Sequence, residues 1–115
     1  RLNLNLALNY SGREEILDAC RRIASREYNT DQIDEQLFAS YLKTGDMPDP
    51  DLIIRTSGER RLSNFLLFQS AYSEFFFSDT LWPDYGAADL DLALEDFSHR
   101  SRRFGGVTEG GGQSR

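Results

Sequence analysis

The stretch Ile53 to Leu67 reads IIRTSGERRLSNFLL and gathers the side chains of this chain best suited to holding an anion. Arg55 closes an apolar run, and Gly58, Arg61 and Ser63 follow within a few residues. Guanidinium forks match the spacing of phosphate oxygens, a hydroxyl adds a donor, and a glycine lets backbone approach a ligand closely. If Asp51 to Ile54 is a buried strand, the basic stretch starts at its carboxyl end, where α/β sheets hold ligands. The amides of Ser57 and Gly58, and the amino end of a helix beginning near Ser63, would then face the same anion. A phosphate or diphosphate is the ligand this group suits. The alternative is that Arg55, Arg60 and Arg61 pair with Glu59 and nearby acids on a solvated loop. No G-x-x-x-x-G-K, G-x-G-x-x-G or Cys-x5-Arg pattern occurs, so a nucleotide is not favoured.

Composition narrows the rest. The 115 residues carry 13 Lys+Arg against 19 Asp+Glu, a net charge of -6 that argues against non-specific nucleic-acid binding, so any bound anion needs a local cluster. Cys20 is the single cysteine. It can form no intrachain disulfide, which fits a reducing compartment, and it falls on an apolar helical stripe that predicts a core residue rather than a nucleophile. No apolar run approaches the ~20 residues needed to span a bilayer, and a soluble chain is expected.

These side chains need a scaffold. Leu2, Leu4, Leu6 and Leu8 alternate with Asn3, Asn5, Ala7 and Asn9, which predicts a strand with one apolar face before Tyr10-Ser11-Gly12 breaks it. Glu14 to Glu27 reads as an amphipathic helix with Ile16, Leu17, Cys20, Ile23 and Ala24 inward. A second fits Asp31 to Lys43, capped by Thr30. A breaker-rich loop then leads into Asp51-Leu52-Ile53-Ile54, a short apolar run that suits a buried parallel strand. Ser63 could cap a helix to about Ser73, and Phe75-Phe76-Phe77 suits a fully buried strand. The apolar density from Leu62 to Phe77 belongs in a core, a subunit interface, or both. Ala87 to Phe104 reads as a last helix with acids first and bases last, stopped by Gly105-Gly106. The fold class is α/β.

DLIIRTSGERRLSNFLLFQSAYSEFFF followed by LWP closely resembles the most diagnostic block of the cis-prenyltransferases, the undecaprenyl diphosphate synthase family. NYSGREEI at Asn9 to Ile16 resembles a second family block, and the Arg103-Phe104-Gly105 of RRFGG resembles the R-x-G ending of many members. The resemblance covers about residues 1 to 106. It implies an enzyme that condenses isopentenyl diphosphate with an allylic diphosphate such as farnesyl diphosphate, with Mg2+ assisting departure of the allylic diphosphate. Arg55, Arg61 and Ser63, with Gly58, would bind isopentenyl diphosphate. Glu74 would be connected with magnesium, its alternative being an acid at a helix end with no ligand. Arg103 and Gly105 would reach the site of a neighbouring subunit, so a homodimer is implied. Arg13 would serve structure or substrate, and Arg60, outside the matched pattern, would face solvent.

The departures are equally specific. The family's D-G-N-G-R-W loop with its essential aspartate, and its S-x-E-N-W segment, are absent, and full-length members are about twice this size. The chain is therefore expected to be the carboxyl-terminal half of a single cis-prenyltransferase domain, residues 1-106, with a flexible tail at 107-115. It would form a partial parallel sheet covered by helices, bind diphosphate weakly and turn over nothing alone. A sheet covered on both faces conflicts with the alternation in Leu2 to Asn9; its asparagines would lie toward the remaining half or hydrogen-bond near the site. Phe68 stands where the family often has tryptophan. The implied product is undecaprenyl diphosphate, a lipid delivered to the membrane for cell-wall assembly from a cytoplasmic enzyme at the membrane periphery. The rival reading is a non-catalytic partner subunit or diphosphate-binding scaffold.

Overall fold

The computed structural model describes residues 2–100. The elements are α1 (Gly12–Ala24), α2 (Glu35–Ser40), β1 (Leu52–Arg55), β2 (Glu74–Phe77) and α3 (Ala87–Ser98), with 3-10 turns at Thr30–Gln32 and Trp82–Asp84. β1 and β2 pair in parallel, which with the helices gives the expected α/β class. The chain divides into two compact units. Among the described residues, one comprises 2–48 and Leu62–Phe68; the other comprises Asp49–Arg61 and 69–100.

In the first unit, α1 is fixed at its amino end. Ser11 is extended, and its Oγ accepts from the Glu14 amide at 3.2 Å. The Gly12 amide donates to the Asn64 carbonyl at 2.8 Å, the Arg13 amide to Asn64 Oδ1 at 2.9 Å, and Asn64 Nδ2 to Ser11 Oγ at 2.8 Å. The first amides of a helix have no partner within it, and here Ser11 and Asn64 supply them. Glu14 and Glu15 in the first turn and Arg21 and Arg22 in the last complement the dipole.

The buried face of α1 is Gly12, Glu15, Ala19 and Ile23, which keeps only Ile23 of the expected stripe. Cys20 is exposed, as is Leu17, which corrects the core placement of that cysteine. The reason is Glu15: it is buried, accepts from the Tyr10 hydroxyl, and accepts from the Lys43 amide at 2.8 Å. A hydrogen-bonded carboxylate can occupy an inner face that apolar counting would assign elsewhere. The second predicted helix is also shorter. Asp34, not Thr30, caps α2, its Oδ1 accepting from the Leu37 amide at 2.8 Å. Phe38 packs against Phe68 with ring centroids 5.0 Å apart, so the phenylalanine at that position is a packing residue.

The predicted first strand does not form: Leu2 to Asn9 has no regular structure, and Leu2, Leu4, Leu6 and Leu8 are exposed. Alternation becomes a strand only when a neighbour pairs its amides and carbonyls, and among the described residues only β1 and β2 are so paired.

In the second unit the register pairs Leu52 with Glu74 and Arg55 with Phe77. Phe75 and Phe77 share a face and stack with centroids 5.9 Å apart. They are half-buried, so the expected fully buried strand is a strand without full burial. α3 packs on β2 and starts where Asp89 Oδ2 accepts from the Gly86 amide and Oδ1 from the Thr80 hydroxyl, both at 2.9 Å. It ends at Ser98. The expected Gly105-Gly106 stop and the 107-115 tail lie outside the described residues.

No helix runs from Ser63 to Ser73; the segment is a series of turns. Ser63, Asn64 and Leu66 have φ of +53°, +67° and +47°, left-handed values that a right-handed helix excludes.

Two outcomes follow from these contacts. A Cβ on Gly12 would lie 2.8 Å from Leu67 Cγ and 2.9 Å from the Asn64 carbonyl oxygen, and the latter is backbone. Gly12→Ala should therefore destabilise the fold by about 1–3 kcal/mol, the overpacking cost exceeding the alanine helix preference, with a lower thermal midpoint as the readout. The Gly86 amide, then the Thr80 hydroxyl, hold the Asp89 carboxyl below its ordinary pKa. Its stabilisation is complete above the unfolded carboxylate pKa and is lost as pH falls through the lower folded value. Asp89→Asn should flatten the loss of stability on acidification, measured by denaturant unfolding across pH 2 to 7; an unchanged slope would remove Asp89 from that role.

Candidate functional site

Arg55 is the last residue of β1, so the chain leaves the sheet at its carboxyl end immediately after it. Ladder-like pairing continues past the strands. The Ser78 amide donates to the Arg55 carbonyl at 2.8 Å, the Gly58 amide to the Ser78 carbonyl at 2.9 Å, and the Ser57 amide to the Thr80 carbonyl at 2.8 Å. Ser57 Oγ accepts from the Trp82 amide at 3.2 Å. The amides of Ser57 and Gly58, expected to face an anion, are thus engaged with the exit of β2. What Gly58 supplies is the turn itself: its φ is +72°, and a Cβ there would stand 3.5 Å from Asp79 Oδ1.

The loop brings two of the expected residues together. Half-buried Arg55 donates from Nη1 to the Arg61 carbonyl at 3.0 Å, holding the backbone of Arg61 beside its own guanidinium. The Arg61 side chain is 70% exposed and pairs with Glu59. Arg60 does not simply face solvent: its guanidinium lies over the Phe77 ring, 5.7 Å from the centroid, and pairs with Asp79 at 3.5 Å. Both exposed arginines therefore have carboxylate partners, as the solvated-loop alternative required. Such exposed pairs are worth only about 0.2–1 kcal/mol, so an incoming dianion can outcompete them.

Ser63 belongs to the first unit, where it is exposed and left-handed. No helix starts there, so no helix amino end adds its partial charge at Ser63, contrary to the expectation.

Glu74 lies at the other end of the sheet. It opens β2 opposite Leu52, three residues from the level of Arg55, or about 10 Å at the ordinary strand rise. Its carboxylate is buried and accepts from Arg100 Nη1 at 3.0 Å. The Glu74 hydrogen bond, with Asp96 adding, holds the Arg100 pKa above its ordinary value. A buried carboxylate committed to a guanidinium is not a magnesium ligand set, and no cluster of three His, Cys, Asp or Glu that could hold a metal occurs among the described residues. Arg103 and Gly105 lie outside the described residues.

Sequence reasoning missed Asn64, Asp79 and Arg100. Asn64 carried one signal, since asparagine tolerates the left-handed region better than other non-glycine residues. The partners of Arg60 and Glu74 are remote in sequence and carried none.

The chain matches the family model described as "Putative undecaprenyl diphosphate synthase" over residues 1–105. It is 58% identical over 114 residues to the isoprenyl transferase of Streptococcus mutans, covering 92% of this chain and 46% of that protein. It is 55% identical over 107 residues to the tritrans,polycis-undecaprenyl-diphosphate synthase (geranylgeranyl-diphosphate specific) of Thermoplasma volcanium, covering 90% and 42%. The chain thus spans about half the length of the curated relatives it matches. Among solved structures it is similar to lavandulyl diphosphate synthase from Lavandula x intermedia in complex with dimethylallyl diphosphate, with a TM-score of 0.83 and 46% identity over 87% of this chain and 45% of that one. It is also similar to a "probable undecaprenyl diphosphate synthase" from Campylobacter jejuni, with a TM-score of 0.73 and 35% identity over 88% and 46%.

The Glu59 pairing makes a directional test of the loop. Glu59→Gln removes the carboxylate that competes for Arg61 and should tighten inorganic pyrophosphate binding about two- to fivefold by calorimetric titration, in line with an exposed ion pair. Weaker binding would mean that Glu59 holds the loop rather than competing with the anion.

Proposed function

Because the chain belongs to the prenyltransferase family of undecaprenyl diphosphate synthases, we propose that it supplies the isopentenyl diphosphate site of a cis-prenyltransferase. The observation that carries this reading is the pairing of Arg55 and Arg61: one guanidinium at the carboxyl end of a parallel strand, bonded to the backbone of a second, exposed arginine. Arg55 and Arg61 would grip the diphosphate, and the Ser63 hydroxyl would add a donor. Held in this way, isopentenyl diphosphate presents its double bond to the allylic carbon. The carbon–carbon bond forms as the allylic carbon–oxygen bond breaks, the electron pair leaves with the diphosphate, and a proton is lost from the condensed product. This chain contributes grip and orientation. The aspartate loop that the family uses for the allylic diphosphate is not in its sequence.

Undecaprenyl diphosphate from farnesyl diphosphate remains the proposed overall reaction. Magnesium is proposed with Glu74, whose carboxylate would have to leave Arg100 to hold the ion. A homodimer using Arg103 and Gly105 and a cytoplasmic, membrane-peripheral enzyme passing its lipid to the bilayer complete the proposal. No described helix is long and apolar enough to cross a membrane.

Arg55→Ala and Arg61→Ala should each weaken isopentenyl diphosphate binding by about 10- to 100-fold, the worth of a charge-assisted hydrogen bond. Calorimetric titration of the chain checks this, and indifference of both variants would favour the scaffold reading. Incubated with farnesyl and isopentenyl diphosphates and Mg2+, the 115-residue chain should form no longer prenyl product; chromatographic detection of one would overturn the inactive-piece expectation.

A further inference from the structure

Four non-glycine residues between β1 and β2 hold left-handed backbone: Ser57, Ser63, Asn64 and Leu66, with φ of +65°, +53°, +67° and +47°. For serine and leucine this conformation is unfavourable, and it persists only where surrounding contacts over-determine it. In the first unit those contacts converge on Asn64. Its carbonyl, Oδ1 and Nδ2 bond to the Gly12 amide, the Arg13 amide and Ser11 Oγ, all between 2.8 and 2.9 Å. Gly12 permits the approach, since any Cβ there would press on the Asn64 carbonyl oxygen. A short hydrogen-bonded link therefore joins the amino end of α1 to the residue next to Ser63.

We infer that Asn64 is a positioning residue that sets the Ser63 hydroxyl for diphosphate contact by anchoring Ser63's backbone to the amino end of α1. The inference rests on the reading that Ser63 is a diphosphate donor. It also gives Ser11, Gly12 and Arg13 a role that needs no substrate contact: their hydroxyl and two amides are the partners of Asn64. Asparagine suits the position twice, since its side chain supplies an acceptor and a donor and its backbone tolerates positive φ.

A double-mutant cycle tests this, with inorganic pyrophosphate titrated calorimetrically into the 115-residue chain and the thermal midpoint recorded for each variant. Ser63→Ala and Asn64→Ala should each weaken binding about tenfold, and the double variant should bind no more weakly than either alone, because Asn64 acts through Ser63. Additive losses would overturn the inference, since a merely structural effect of Asn64 would add to the loss of the hydroxyl. Asn64→Gly keeps the left-handed backbone cheap and removes the side-chain bonds; it replaces Asn64→Ala in the cycle if that variant does not fold, and full-strength binding by it would overturn the inference. Losses in Arg55→Ala and Ser63→Ala with an indifferent Asn64→Gly defeat this inference alone. No pyrophosphate binding by the unaltered chain, or no loss in either Arg55→Ala or Ser63→Ala, defeats the diphosphate reading and this inference with it.

Discussion

The second unit depends on the parallel pairing of β1 with β2 and on its continuation beyond both strands. Four residue pairs form a short ladder that would be weak alone. The bonds from Ser78 to Arg55, Gly58 to Ser78 and Ser57 to Thr80 carry the pairing into the loop, so the turn that presents the arginines is built from the same kind of contact as the sheet. Arg60 adds its ring contact with Phe77 and its pairing with Asp79. The loop is therefore ordered by backbone bonds within the protein itself. Pre-organisation of this kind lowers the ordering cost of binding.

The arrangement also divides labour along the sheet. At the carboxyl end, Arg55 and Arg61 leave positive charge near the surface. At the amino end, Glu74 is buried and matched by Arg100, with Asp96 as the second acid on the same guanidinium. Glu74 is buried while Arg100 is a third exposed, so losing the guanidinium costs more than losing one member of a fully exposed pair. The Glu74–Arg100 pair ties the region following α3 to the first residue of β2.

What was legible in the sequence was what local chemistry determines. β1, β2, α1 and the start of α3 appear within a few residues of where apolar runs and periodicity indicated, whereas α3 ends at Ser98 rather than the expected Phe104, and Arg55 falls at the strand end that its neighbours implied. The failures share a cause. Leu2 to Asn9 has strand periodicity without a strand to pair with, Cys20 lost the inner face of α1 to a satisfied Glu15, and Ser63 to Ser73 has enough apolar residues for a helix but a backbone turned left-handed. In each, a partner distant in the sequence decided the outcome. The family block that named Arg55, Arg61 and Ser63 could not show that the Ser57 and Gly58 amides were already used, because their acceptors lie some twenty residues further on.

The Asn64 link sets a lower limit on how this unit can be divided. A piece that held α1 without Leu62–Phe68 would leave the Gly12 and Arg13 amides without their protein acceptors, and the excised segment would lose the bonds that hold Asn64 left-handed. The two stretches are far apart in the chain yet form one indivisible module. Exchange of segments between relatives would have to carry NYSG and SNFLL together.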